Sequence, residues 1–383
     1  PIVDRSPATT AAMELTTPDA CMRRALALAE QARLICSPNP AVGCVLVDAA
    51  GQLLGEGHTQ AVGQAHAEVM ALRDAAARGH STVGATAYVT LEPCAHHGRT
   101  GPCCDALVAA GVAKVVASLQ DPNPRVTGQG FARLRAAGVE VVIGPGAQAT
   151  RDLNIGFFSR MVRGTPWVRL KAAISLDGRT ALPNGASQWI TSAPAREDGH
   201  AWRARADAVL TGIGTVLQDD PLLNARLPGA TRQPMLAIVD SQLQTPPGAR
   251  LWSAGPRGVV ICTAVQDPAR WQALQALGAQ IVACPNAHSK VDLAAMLKDL
   301  AQREVNEVHV EAGYKLNGSL MREGLVDEWL IYQAPKLLGD GPGVAALGPF
   351  TQIDQVPELS WRDVQRIGPD LRLRAVAAGR DEF

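Results

Sequence analysis

His66-Ala67-Glu68, Pro93-Cys94 and Pro102-Cys103 are the stretches on which the reading of this chain turns. One imidazole and two thiolates form a ligand set that suits Zn²⁺ and leaves a fourth tetrahedral position open. An open position belongs to a catalytic centre. Glu68 lies two residues from His66, so it can move protons without occupying the metal. The alternative is a closed structural site, with Cys104, His96 or His97 as fourth ligand. Cys103 and Cys104 would point about 100° apart on a helix, so they seldom share one ion. Glu68 has no task in a closed site, and the open reading is preferred.

Elements follow on either side. A helix is expected from Asp19 as N-cap to about Ile35, with Met22, Ala25, Leu26 and Ala29 at core spacing, broken by Ser37-Pro38-Asn39-Pro40. Val42 to Val47 reads as a buried strand and Gly55-Glu56-Gly57 as a turn. Helices at 66–78, 103–110 and 131–137 alternate with strands at 86–91, 114–118 and 140–143. That rhythm describes a three-layer α/β domain. His66 and Cys103 fall in first helical turns, where free N–H groups favour thiolate over thiol.

The order H-x-E, P-C, C matches the zinc-deaminase signature, in which a metal-activated water attacks an amino-bearing ring carbon and the Glu is general acid/base. The stretch from Ala87 through Glu92-Pro93-Cys94 to Cys103-Cys104 resembles the pyrimidine deaminase of riboflavin biosynthesis, as do Pro38-Asn39-Pro40-Ala41-Val42-Gly43-Cys44 and Gln120-Asp121-Pro122-Asn123-Pro124. The chain is similar to the bifunctional deaminase–reductase family from about residue 19 to 375. Its two cysteines have eight residues between them where the nucleic-acid editors have two, and the insert Ala95 to Pro102 fits the riboflavin type.

The resemblance implies a cytidine-deaminase-like N-terminal domain and a C-terminal domain like dihydrofolate reductase, an α/β protein throughout. It implies His66, Cys94 and Cys103 as ligands to one zinc, Glu68 as proton shuttle and Asn39 as a contact to base or ribose. The substrate would be 2,5-diamino-6-ribosylamino-pyrimidinone 5′-phosphate, with His96, His97 and Arg99 as candidates for its phosphate.

The second half lacks G-x-G-x-x-G after a strand, since Gly212-Ile213-Gly214 has no third glycine, so a Rossmann domain is not supported. Strands are expected near 167–174, 207–211, 235–240, 258–262, 307–311 and 329–333. The strand ending at Glu311 opens through Ala312-Gly313 into a helix, a backbone that can approach an anion. Lys171 to Arg179, Ser187 to Thr191, Gly214 to Arg226 and Glu311-Ala312-Gly313 resemble the riboflavin-pathway reductase, with Tyr314 where a proline is frequent. The resemblance implies NADPH, contacted by Ala173, Trp189, Thr215, Asp219, Ser241, Gly313, Tyr314, Lys315, Leu316, Asn317, Gly318 and Ser319. Substrate would meet Ser187, Arg203, Leu222, Arg226 and Glu311, the arginines suiting a phosphate. Lys171 and Asp219 would polarise the open-chain imine and manage its proton.

With 383 residues, two domains are expected. The boundary is placed at Gly144-Pro145-Gly146-Ala147-Gln148, giving a disordered leader at 1–18, a deaminase domain at 19–147 and a reductase domain at 148–383. The 36 basic and 36 acidic side chains balance, so no large nucleic-acid footprint is expected. No apolar run is long enough for a membrane span. Eight scattered cysteines suit a reduced, cytoplasmic protein. The expected partner is a small-molecule pyrimidine ribosyl phosphate, with neither nucleic acid nor membrane, in a homo-oligomer. Two other classes compete: a deaminase whose second half only binds or oligomerises, and a nucleic-acid editing enzyme, disfavoured by neutral charge and cysteine spacing.

Overall fold

The computed structural model describes residues 15, 17–95, 101–124, 126–229 and 232–383. The chain divides into two compact units, Pro1–Asn154 and Ile155–Phe383. The first runs α1 (Pro18–Ala32), β1 (Gly43–Val47), β2 (Leu53–His58), α2 (Ala67–Ala77), β3 (Thr86–Val89), α3 (Cys103–Ala109), β4 (Lys114–Ala117), α4 (Gln129–Ala136), β5 (Glu140–Ile143) and α5 (Ala147–Leu153). The second runs α6 (Ile155–Arg163), β6 (Trp167–Ile174), α7 (Ala193–Arg205), β7 (Ala208–Gly212), α8 (Ile213–Asp219), β8 (Met235–Val239), β9 (Val259–Thr263), α9 (Gln272–Gln275), β10 (Ala279–Ala283), α10 (Leu293–Gln302), β11 (Glu307–Val310), α11 (Tyr314–Arg322), β12 (Glu328–Gln333), β13 (Leu359–Ile367) and β14 (Asp370–Ala377).

In the first unit the sheet order is β2-β1-β3-β4-β5, with only β1 antiparallel to its two neighbours. Helix α1 buries Cys21, Met22, Ala25, Leu28, Ala29 and Ala32, one stripe of its surface. That stripe packs on Val45, Val47, Tyr88 and Val116, one face of the sheet. The opposite face meets α2 through Gly55 and Gly57, so the unit has three layers. A Cβ on Gly55 would stand 2.4 Å from the Ala71 carbonyl oxygen, and one on Gly57 2.5 Å from the Met70 Cβ. The expected turn at these glycines is therefore corrected to strand β2: their missing side chains make room for a helix, not for a reversal.

The first helix is capped two residues ahead of the expected N-cap, Asp19. Thr17 is the N-cap, its Oγ1 accepting the Ala20 N–H at 3.2 Å, with Pro18 in the first turn, where its missing N–H costs nothing. Leu15 is buried, and its N–H donates to the Gly51 carbonyl, so the fold reaches back into the expected leader. Residues 1–14 and 16 of that leader lie outside the described residues. At the other end the first unit runs one short helix beyond the glycine-rich boundary. Asn154 holds it there, its side chain bonding both the N–H and the carbonyl of Ala41 at 2.7 and 3.0 Å.

The second unit is built on a sheet of order β10-β9-β8-β7-β11-β6-β12-β14-β13, parallel from β10 to β12 and closed by an antiparallel hairpin. Strand β7 buries both faces: Ala208 and Leu210 join the core beneath α10 and α11, Val209 the opposite core with Val216, Leu236 and Ile238. Toward β6, β11 and β12 that second face changes character. Arg169 is fully buried there, held at 2.8 Å by Glu307 and 2.9 Å by Glu328. Arg205 of α7 joins Glu307, and Arg374 of β14 joins Glu328. Each buried charge has a counter-charge, without which the desolvation cost would be about 5 kcal/mol per ion. This seam leads along β6 and β11 to the strand ends, where the candidate reductase site begins.

Candidate active sites

In the first unit, β2 runs into a loop that delivers His66 as N-cap of α2, its backbone extended at φ −79° and ψ 171°. Glu68 lies in the first turn and is buried. Strand β3 leads to Pro93-Cys94, and Pro102 is N-cap of α3, which begins at Cys103. The His66 Nδ1 stands 3.3 Å from the Cys103 sulfur and 3.7 Å from the Cys94 sulfur. All three ligand atoms lie within 4.8 Å of one another, the one such cluster among the described residues. A tetrahedral zinc with Zn–S of about 2.3 Å and Zn–N of about 2.05 Å has an S–N edge of about 3.6 Å, so the three donors fit a single ion. Cys104 is not part of the cluster; its sulfur turns to Asp105 instead. His96, His97 and Arg99 lie outside the described residues.

The electrostatics agree with that geometry. The Cys94 thiol is drawn well down, first by hydrogen bonding with Cys103 and, after the opposing cost of burial, by His66. Sharing with Cys94 and burial push Cys103 up. The Cys103 N–H points at the Cys94 sulfur at 3.4 Å. Burial, with the negative Cys94 adding to it, pushes the Glu68 carboxyl up to about 7, while a hydrogen bond with the Cys103 thiol opposes the rise. A carboxyl that titrates near neutrality can both take and give a proton.

A residue that local sequence patterns do not reveal holds the cysteine strand end in place. The Glu92 carboxylate is buried and accepts the backbone N–H groups of Asp121, Gly128, Gly130 and Phe131, at 2.9–3.2 Å. It ties the residue two before Cys94 to the start of α4. Gly130 completes the joint, because a Cβ there would stand 1.9 Å from the Pro93 carbonyl oxygen. Burial likewise pushes the Asp121 carboxyl up, to about 7. Asn39 lies half-buried, its N–H bonded to the Cys36 carbonyl and its own carbonyl accepting the Cys36 thiol.

In the second unit, Lys171 of β6 is half-buried, in the field of Glu311, just beyond β11, and of Arg203 of α7. Burial lowers the lysine against the pull of Glu311. Arg203 binds Glu311 through Nε and Nη2 at 2.5 and 2.8 Å, and its Nη1 donates to the Asn224 carbonyl at 2.7 Å. The arginine expected to meet a phosphate is thus also the anchor of the glutamate expected to meet the same substrate. Arg226 is exposed and bonds the Asn224 side chain at 3.2 Å. His200 sits between them, its Nδ1 3.4 Å from Arg203 and 3.5 Å from the Arg226 N–H; burial and then Arg203 and Arg226 draw it down to about 4.

Asp219 ends α8, exposed, and only partial burial raises its carboxyl. His309 was not anticipated, although Glu307, His309 and Glu311 alternate on one face of β11 and its continuation. It is fully buried opposite Arg169, 3.5 Å from Glu311, and burial draws it down to about 3.

The residues expected at a cofactor divide into two groups. Gly212 and Gly313 are the N-caps of α8 and α11 and carry no side chain to cap them, so first-turn N–H groups of both helices face outward from the ends of β7 and β11. A Cβ on Gly313 would stand 3.8 Å from Thr215 Oγ1, and one on Gly212 3.2 Å from Leu316, so these residues meet. Tyr314 and Lys315 follow Gly313 in the first turn. Asn317 and Gly318 turn away: the Asn317 amide donates to the Val344 carbonyl, and a Cβ on Gly318 would collide with the Ala346 carbonyl oxygen at 2.3 Å. Ser319 bonds the Lys315 carbonyl of its own helix. Ser241 follows β8, its Oγ accepting the Val291 N–H. Ala173 lies on β6 opposite Tyr332. Trp189 is 60% exposed with Arg196 over its ring at 4.4 Å, so it is not a core aromatic. Ser187 is exposed in the same loop, and Leu222 is half-buried beyond α8.

Comparison with known proteins accounts for both units. Residues 15–119 match the cytidine and deoxycytidylate deaminase zinc-binding region, and residues 166–373 match the RibD C-terminal domain. The riboflavin biosynthesis protein RibD of Escherichia coli K12 is 44% identical over 370 residues, covering 93% of this chain and 98% of that protein. The structure of Acinetobacter baumannii RibD superposes with a TM-score of 0.86 at 41% identity, covering 94% of this chain and 98% of that one. A deaminase/reductase from Thermotoga maritima, named for diaminohydroxyphosphoribosylaminopyrimidine and 5-amino-6-(5-phosphoribosylamino)uracil, gives 0.83 at 30% identity over the same shares. The two folds, the zinc-type cluster and full-length similarity together place this chain in the RibD family of bifunctional deaminase–reductases of riboflavin biosynthesis.

Proposed function

We propose that the chain deaminates 2,5-diamino-6-ribosylamino-pyrimidinone 5′-phosphate in its first unit and reduces the product to 5-amino-6-ribitylaminouracil 5′-phosphate in its second. The observation that carries this reading is the His66–Cys94–Cys103 cluster with the Glu68 carboxyl beside it. Those three residues would hold zinc, which supplies Lewis acidity to a water at the open position. Glu68 takes a proton from the attacking water and delivers it to a ring nitrogen. It then takes the proton left on the added hydroxyl and passes it to the departing amine, so ammonia leaves and a carbonyl remains. Asn39 orients the base or ribose.

In the second unit NADPH supplies a hydride when bound. The ribosylamine opens to an imine, and reduction at C1′ gives the ribitylamine. Lys171, half-buried beside Glu311 and Arg203, holds the proton that the imine nitrogen requires, and Arg203 and Arg226 provide positive charge for the phosphate. The uncapped first turns of α8 and α11, with Thr215, Gly313, Tyr314, Lys315 and Leu316, suit the phosphates of the cofactor. Asp219, Ser241, Trp189 and Ala173 remain candidates for its other contacts. Among the described residues no helix is long and apolar enough to cross a membrane, and a cytoplasmic homo-oligomer is the form we propose.

A coupled assay with the diaminopyrimidine phosphate, following ammonia release and NADPH oxidation together, tests the whole sequence. Both signals should appear, ammonia first. Ammonia without NADPH oxidation would make the second unit a binding or oligomerisation module, and no ammonia would remove the deaminase assignment.

A further inference from the structure

The segment from Asp220 to Arg226 carries two of the residues proposed to meet the substrate, Leu222 and Arg226, and it is held in an unusual backbone. Asp220 has φ 40° and Leu223 φ 51°, a region that leucine seldom adopts. Such a conformation persists only where its surroundings impose it. Leu223 is buried in the core with Val216 and Leu251. Arg257, which precedes β9, donates from Nη1 to the Leu223 carbonyl at 2.7 Å and from Nη2 to the Leu222 carbonyl at 2.6 Å. Its Nη2 also reaches the Leu251 carbonyl at 3.2 Å. Successive carbonyls of an extended chain point to opposite sides. The left-handed turn at Leu223 swings both to one side, where a planar guanidinium can take them together.

Other ties converge on the same loop. The Gln233 amide bonds both the N–H and the carbonyl of Ala225, at 2.8 and 2.9 Å. The Arg250 N–H donates to the Asp220 side chain at 2.8 Å. Arg203 links Asn224 to Glu311, so the loop is fixed to the proposed catalytic strand end as well as to the core. Arg257 therefore stands outside the substrate contacts and sets the backbone that presents them. Burial, with Arg203 nearby, draws Arg257 down to about 10, so it stays a cation and a full donor at neutral pH.

We propose that Arg257 is a positioning residue of the reductase site, fixing the Leu222–Leu223 backbone so that Leu222 and Arg226 face the ribosyl phosphate. The inference rests on the reductase reading above. The test uses full-length Arg257→Ala and Arg257→Lys, with steady-state kinetics on the deaminated ribosylamine phosphate. In Arg257→Ala the KM for that substrate should rise by roughly tenfold or more while kcat falls far less, the pattern of lost binding geometry. Arg257→Lys, which keeps donors on a flexible stem, should fall between the two. NADPH affinity and ammonia release should match wild type. A merely structural role would instead weaken KM, kcat and NADPH binding together, and that result or an unchanged KM overturns the proposal. Should Arg257→Ala fail to fold, Gln233→Ala decides: it removes the tie to Ala225 and should also raise KM selectively, whereas an unchanged KM rejects the idea. If wild type itself oxidises no NADPH with the deaminated substrate, the reductase reading fails first and takes this inference with it.

Discussion

Glu68 illustrates how one residue acquires a chemical role from its surroundings. An exposed glutamate is ionised at neutral pH, whereas here burial and the negative Cys94 push the carboxyl up to about 7. Removing a general acid/base of this kind typically costs 10²-fold or more, so Glu68→Gln is expected to lower ammonia release by roughly that factor. Zinc content, measured by atomic absorption, should stay at the wild-type level, because the amide replaces no proposed ligand. Near-normal turnover in the variant would remove Glu68 from the proton path, and loss of metal would make it a structural residue instead. The spacing of His66, Glu68, Cys94 and Cys103 makes this assignment readable from sequence. Glu92 is different, since its four backbone partners come from Asp121 to Phe131 and no spacing rule links them to it.

At the scale of elements, the position of α2 decides whether His66 and Glu68 meet the cysteines at all. That helix rests on β2 where Gly55 and Gly57 leave room for it. Gly55→Ala would place a methyl 2.4 Å from the Ala71 carbonyl and 2.5 Å from the Ala75 nitrogen, both rigid backbone. Overpacking of this sort costs about 1–3 kcal/mol. The substitution should therefore lower the melting temperature of the first unit and reduce zinc content, while NADPH oxidation with deaminated substrate persists. Equal losses in both activities would mean that α2 does more than hold the metal site. A glycine-flanked glutamate reads as a turn from composition, and only the helix lying above it makes a strand the better answer. Strand Trp167–Ile174, with a buried apolar run, was legible to the residue, and so was Glu140–Ile143, whose apolar run shows in the sequence although the strand is largely exposed. The hairpin of β13 and β14 was not, because β13 is exposed along nearly its whole length and carries no apolar alternation. Likewise Asn317 and Gly318 share a helix with Gly313, yet their direction depends on the Val344–Ala346 segment, distant in sequence.

For the molecule as a whole, the two chemistries have separate requirements, and each unit contains its own. The first holds the proposed zinc ligands and Glu68, and the second holds Lys171, Arg203, Glu311 and the helix starts of α8 and α11. Each has a core of its own: α1 against Val45, Val47 and Tyr88 in one, and the two faces of β7 in the other. Units of about 150 residues or more bury enough surface to fold alone. Compactness places the division at Asn154 and Ile155, and the Asn154–Ala41 bonds argue for cutting after Asn154 and not at Gly146. A chain beginning at Ile155 is expected to fold, bind NADPH and reduce the deaminated ribosylamine without added zinc, and to leave the diamino compound untouched. The complementary piece ending at Asn154 should release ammonia and ignore NADPH. Activity per mole of folded protein, with folding checked by circular dichroism, is the measure. A folded C-terminal piece that binds NADPH but reduces nothing would show that the second chemistry needs a group from the first unit, and the independence of the two sites would have to be abandoned.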